Sequence, residues 1–167
     1  SRIFVNTNMA AAAGAFVAMV ATQLSYGKVD LTMVLNGALA GLVSITAEPL
    51  TPTMGWTCFI GGVGGVIVVY GVPLLDKFKI DDVVGAIPVH LFAGIWGTLA
   101  VVLTNPDAAL GTQLYGIVVV GVFTFAVSGI AWVILNATLG IRVSEEDETT
   151  GLDTAELGME AYPDFVR

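Results

Sequence analysis

Charge is scarce in this 167-residue chain: Asp, Glu, Lys and Arg make up 12% of it, against 56% hydrophobic residues, and the mean hydropathy is +0.86. Soluble domains carry roughly a quarter charged residues. A water-facing globular surface is therefore excluded, and a lipid-facing one is expected. Cysteine is reduced to Cys58, which rules out an internal disulfide and leaves too few thiolates for a metal cluster. Histidine is reduced to His90, with Glu48 on a different connection, so no metal site is expected. The six basic residues form no patch, which argues against nucleic acid as a partner. No serine or cysteine stands at a spacing from His90 that suggests a nucleophile with its base, so nothing points to an enzyme or a cofactor. A signal peptide is missing too: Ser1-Arg2 leads straight into apolar sequence without basic, hydrophobic and cleavage regions, and the chain is expected to start mid-protein.

Long apolar runs are what the chain has in abundance. Five low-charge stretches, at about 3–24, 31–47, 56–75, 83–103 and 114–139, each approach the ~20 residues a helix needs to cross a bilayer, the second being short for a full crossing. The pattern predicts an all-α, polytopic membrane helix bundle over residues 1–142, followed by an acidic tail at 143–167. Eight of the fourteen acidic residues and no basic ones lie at 145–164, so the formal charge of −8 belongs to the tail, which is too polar to build its own core. Within the spans, alanines and glycines cluster, at Ala10-Ala11-Ala12-Ala13-Gly14, at Gly37 and Gly41, and at Gly61, Gly62, Gly64 and Gly65, a composition suited to close helix packing in lipid.

Basic residues alternate between the connections. Lys28 follows the first span, Lys77 and Lys79 the third and Arg142 the fifth, while the second and fourth connections have none. The positive-inside rule then puts the ends of the odd spans, and the tail, in the cytoplasm. On that topology His90 stands on a helix rising from the cytoplasmic side; counted from Val83 at roughly 1.5 Å per residue it lies about 10 Å in.

An ionisable side chain inside a span is expensive and by default faces a bundle interior or a water-filled path. An imidazole can donate through one nitrogen and accept through the other, which suits a small polar solute in an apolar tube. Helical spacing puts Ala86, His90, Gly94, Gly97 and Val101 on one face, nearly bare apart from the imidazole. The structural alternative stands beside this: His90 as an interhelical hydrogen bonder without a transport role. Asp81 and Asp82 are expected to cap the fourth helix at its cytoplasmic end, and Pro88 to kink it. Thr46 offers a hydroxyl either to the same path or to its own helix backbone. Trp96, well along its span, is expected to pack, whereas Trp56 suits an interfacial anchor as well.

The segment D-D-V-V-G-A-I-P-V-H-L-F-A-G-I-W-G-T-L around His90 resembles the stretch of Amt-class ammonium transporters that carries one of their two pore histidines. In the same order, Asn6-Thr7-Asn8 with the alanines after it resembles the family's N-T-N-x-A-A-A-A helix, N-G-A-L-A-G-L-V-S-I-T-A at 36–47 its next helix, and 151–162 its G-L-D-x-x-E-x-G-x-x-A-Y tail. The resemblance implies an eleven-helix fold of two inverted halves, a homotrimer with one pore per subunit, a cell-membrane location and a cytoplasmic carboxy end. The five spans match the family's last five, so the first six, with the other pore histidine and the outer ammonium site, are absent from this sequence. Residue by residue, His90 matches the second pore histidine, Ala86 a pore-wall position one turn below, and Thr46 a threonine near the outer end of the pore. The implied cargo is ammonium or ammonia, with methylammonium as analogue, and a PII-type signal protein is an implied partner at the cytoplasmic face. Leu157 stands where the family's tail usually has histidine. A sensor of the same fold and a structural membrane subunit are the alternative functions, and these five helices alone are not expected to conduct.

Overall fold

Helices account for all the regular structure among residues 1–160, the residues that the computed structural model describes. The elements are α1 (Arg2–Tyr26), α2 (Leu31–Ile45), α3 (Met54–Lys77), α4 (Ile87–Thr104), α5 (Leu110–Leu139) and two short helices, α6 (Glu145–Thr150) and α7 (Leu152–Leu157). Of these, α1, α3, α4 and α5 are long and apolar enough to cross a membrane, and α2, with 15 residues, is shorter. The chain divides into two compact units, Ser1–Val119 and Val120–Arg167, with the division falling in the sequence of α5.

Local chemistry sets the ends. Gly27, at φ 69°, closes α1 in the left-handed conformation, its N–H donating to Gln23 O at 3.0 Å. The Asp30 carboxylate starts α2 by accepting from Met33 N at 3.0 Å, and the Thr53 hydroxyl starts α3 by accepting from Trp56 N at 3.4 Å. The end of α3 is a Schellman turn: Ile80 N donates to Leu75 O at 3.0 Å and Lys79 N to Asp76 O at 2.9 Å, with Lys79 at φ 58° where glycine is usual. Helix α4 begins at Ile87, four residues later than hydropathy suggests, because apolar Val83 and Val84 lie in a turn that Gly85 closes at φ 75°.

The first unit is held together by backbone close approach. Asn6, Ala10, Gly14, Ala18 and Thr22 recur every fourth residue along α1 and are its buried residues. Across from them stand Gly37 and Gly41 of α2 and Gly61 and Gly65 of α3. A Cβ added at Gly37 would lie 2.5 Å from Ala18 Cβ, and one at Gly61 would lie 2.6 Å from Ala10 Cα. Lipid offers no hydrophobic drive for helices to associate, so dispersion between closely apposed backbones supplies the attraction. Large apolar side chains such as Phe4, Phe16, Leu24 and Phe59 point outward instead. Gly61→Ala is therefore expected to destabilise by about 1–3 kcal/mol, the usual cost of overpacking. Gly62→Ala meets only the Val17 Cγ2 methyl, at 3.1 Å, and should cost far less. Thermal melting of the two variants in detergent checks the difference; equal melting points would contradict it.

Hydrogen bonds tie the two ends of this bundle. At one end the Asn6 amide donates to Pro49 O at 2.9 Å and Pro52 O at 3.1 Å, and Arg2 to Pro52 O at 3.2 Å. Glu48 accepts there from Leu50 N, Thr51 N and the Asn105 amide at 3.2–3.3 Å. At the other end the Ser25 and Tyr70 hydroxyls are 2.9 Å apart. Thus α1 and α3 start where α2 and α4 finish. In the second unit, Ser144 caps α6 through Asp147 N at 3.1 Å, and Arg142 pairs with Glu148 at 2.8 Å.

Candidate functional site

His90 stands in a turn of unusual geometry. Its segment, Ile87–Phe92, is a six-residue π-helical stretch that passes into regular α-helix at Ala93, whose N–H donates to Pro88 O, five residues back. Such widened turns insert one extra residue into the helical count and recur at functional sites. The single face expected from even spacing is consequently split. Gly97 and Val101 are buried, and a Cβ on Gly97 would lie 2.9 Å from Ser44 Cα. Ala86 and His90, before the wide turn ends, are exposed on the outside of the first unit.

Pro88 also behaves differently from the expected mid-span kink. Because α4 starts at Ile87, proline occupies the second helical position, where its missing N–H would have had no helical partner. Its ring is buried against α3, and a Cβ on Gly71 would come within 2.9 Å of Pro88 Cβ.

The acidic pair divides its work. Asp82 accepts from Ala86 N through Oδ1 and from Ile87 N through Oδ2, both at 2.8 Å, taking up two of the N–H groups that open a helix. Asp81 is exposed on the preceding loop and makes neither of these bonds. One carboxylate thus holds Ala86 directly and His90 through the turn that follows.

Thr46 is not brought to His90. It is the exposed residue that ends α2, and its hydroxyl donates to Val43 O at 2.7 Å, within its own helix. Early α2 meets the loop before α4, through Asn36 Nδ2 to Val84 O at 2.9 Å, and the stretch after α2 meets the end of α4, through Glu48 and Asn105. The two helices therefore run side by side in the same direction. Thr46, ten residues beyond Asn36, lies about 15 Å further along at the helical rise. Both residues can belong to one path only at different levels.

Two contributors are less apparent from sequence. Asn36 ties α2 to the α4 approach, and the available signal is that it is the one amide inside an otherwise apolar span. Trp96 packs, as expected of a mid-span aromatic, and also donates from Nε1 to Ile60 O at 3.0 Å while its ring meets Phe59 edge-on at 6.1 Å. No group of three or more His, Cys, Asp or Glu residues able to hold a metal occurs among the described residues. The tail segment from Gly151 enters α7, with Leu157 its last residue, while Tyr162 lies outside the described residues.

Comparison with known proteins gives a consistent result. A family model described as Ammonium Transporter Family matches residues 1–162. The chain is 44% identical over 183 residues to ammonium transporter Amt2 of Archaeoglobus fulgidus, covering 96% of this chain and 39% of that protein. It is 33% identical over 179 residues to an ammonium transporter of Bacillus subtilis, covering 98% and 44%. Among solved structures, a Sensor Amt Protein superposes with a TM-score of 0.85 at 29% identity, over 93% of this chain and 41% of that one. Mep2 of Saccharomyces cerevisiae gives 0.79 at 26% identity, over 99% and 43%. The chain spans about two fifths of the length of these relatives.

Proposed function

The chain belongs to the ammonium transporter family and is a multi-pass membrane protein; on that premise we propose that its residues form one side of a path for ammonium or ammonia, with His90 and Ala86 on the wall and Thr46 toward its outer end. The observation that carries this reading is the exposure of His90. A lone imidazole held on a fixed turn and turned away from the packed interior of its own unit supports a role in meeting a solute. Opposite it, a second wall would come from the part of the relatives' length that these residues do not span.

Ammonium outside the membrane carries a charge whose burial in a medium of low dielectric costs tens of kcal/mol, whereas neutral ammonia loses only its hydrogen bonds. An imidazole that both donates and accepts can replace those bonds along the path. Nothing in this scheme requires bond-making chemistry or a cofactor. Alternation of Lys28, Lys77 and Lys79 with connections that lack basic residues supports a cytoplasmic tail in the cell membrane. Family membership supports a homotrimer and, at the cytoplasmic face, a PII-type regulator.

Sensing is the second reading, favoured by the likeness to the Sensor Amt Protein. The two separate on flux. Cells that express the complete protein should accumulate labelled methylammonium, and added ammonium should suppress that accumulation. A complete protein that binds ammonium but accumulates no methylammonium would replace transport by sensing.

A further inference from the structure

We propose that Asn36 is a positioning residue for His90, acting from α2 through the loop that precedes α4. The proposal rests on the reading of His90 as part of the path.

The loop between α3 and α4 has little else to fix it. Val83 and Val84 are exposed apolar residues, at 90% and 67%. The loop must nevertheless deliver Asp82 so accurately that both carboxylate oxygens reach backbone N–H groups at 2.8 Å. From outside the loop, the Val72 side chain of α3 lies against Gly85, and the Asn36 amide of α2 donates to Val84 O at 2.9 Å. The same amide nitrogen would lie 3.0 Å from a Cβ placed on Gly85, so it touches the residue whose φ of 75° turns the chain into the helix. Gly85 in turn accepts at its carbonyl from Val89 N at 3.1 Å, the residue before His90. A continuous chain of contacts thus runs from Asn36 through Val84, Gly85 and Val89 to His90, with Asp82 fixing the other side of the same turn.

A wide turn needs this support. Such turns are rare, and relaxation to regular helix would absorb the inserted residue and rotate His90 with respect to the buried Ala93 and Gly97. The amide on α2 makes that relaxation unfavourable, because Val84 O would lose its donor. A polar side chain inside an apolar helix is retained at a cost, and here the cost serves to aim an imidazole.

The test uses the complete protein with Asn36→Leu, which keeps the branched outline of the side chain and removes the donor, and Asn36→Ala as a second variant. Asn6→Ala is the control, since it removes an equivalent amide-to-carbonyl tie at the far end of the bundle. Hydrogen exchange of the peptide covering residues 80–92 should speed up at least tenfold in the Asn36 variants and remain at the wild-type rate in Asn6→Ala. Selectivity for methylammonium over potassium should shift in the Asn36 variants in the direction that His90→Ala shifts it, and the Asn36→Leu/His90→Ala double variant should shift no further than His90→Ala alone. Asn6→Ala should lower the melting temperature and leave selectivity unchanged. Unaltered exchange at 80–92, or selectivity effects of Asn36 and His90 that add independently, would overturn the assignment. If exchange rises while His90→Ala itself leaves transport untouched, the positioning of the turn stands and the role of His90 in the path falls.

Discussion

Replacing His90 by alanine in the complete protein is expected to lower methylammonium uptake by about two- to tenfold or to admit competing cations such as potassium. The magnitude follows from what the imidazole supplies. A polar amine entering an apolar constriction without a hydrogen-bond partner loses about 2–7 kcal/mol of solvation, and one neutral hydrogen bond returns a net 0.5–1.5 kcal/mol, more when a charged form is involved. About 1.4 kcal/mol is a tenfold change in rate. Alanine leaves the π-helical backbone free to persist, because Asp82 and Asn36 bond to main-chain groups and not to the imidazole. The loss therefore reports on the side chain. Uptake and selectivity both at the wild-type level, with the protein present in the membrane, would remove His90 from the mechanism.

The second large effect is a complete one. These 167 residues, reconstituted alone in liposomes, are expected to take up methylammonium no faster than empty vesicles. Within the first unit, Ala86 and His90 are exposed on the exterior, and no second wall faces them from α1, α2 or α3, whose buried surfaces are turned toward one another at the glycines. A polar solute beside His90 would meet hydrocarbon on its other side, where the partition cost is not offset. Uptake above the empty-vesicle control would mean that the path closes around these helices by themselves.

Much of this arrangement is legible before any coordinates, and for identifiable reasons. Hydropathy reads long helices well because lipid imposes a uniform requirement on some twenty residues at a time, as in α3 and α5. Gly14, Gly37, Gly41 and Gly65 announce close packing because little else explains glycine inside a helix. Asp82 as a cap is legible from its place just before an apolar run, although sequence treats it and Asp81 alike; the choice between them depends on the turn geometry set by Gly85. The wide turn at His90 leaves no mark in periodicity, since a period cannot show one inserted residue within six. Its causes are scattered: an amide on α2, a glycine on α3 that accepts the Pro88 ring, and a carboxylate five residues before the helix it caps. For the same reason Gly97 and Val101, which even spacing assigns to the imidazole's face, turn out to be interior. Thr46 illustrates a different limit, because its type and position suit a path, and only its bond to Val43 O shows where the hydroxyl is engaged.

The 15 residues of α2 extend about 22 Å at the helical rise, against a hydrocarbon layer of about 30 Å, and they include an amide. Such a segment gains too little from lipid to enter the bilayer on its own account. Its backbone is nevertheless in contact with α1 at Gly14 and Gly37 and is joined to it by only the few residues around Gly27 and Lys28. The close apposition of the two helices at Gly14 and Gly37 therefore supplies attraction that the short apolar length of α2 does not.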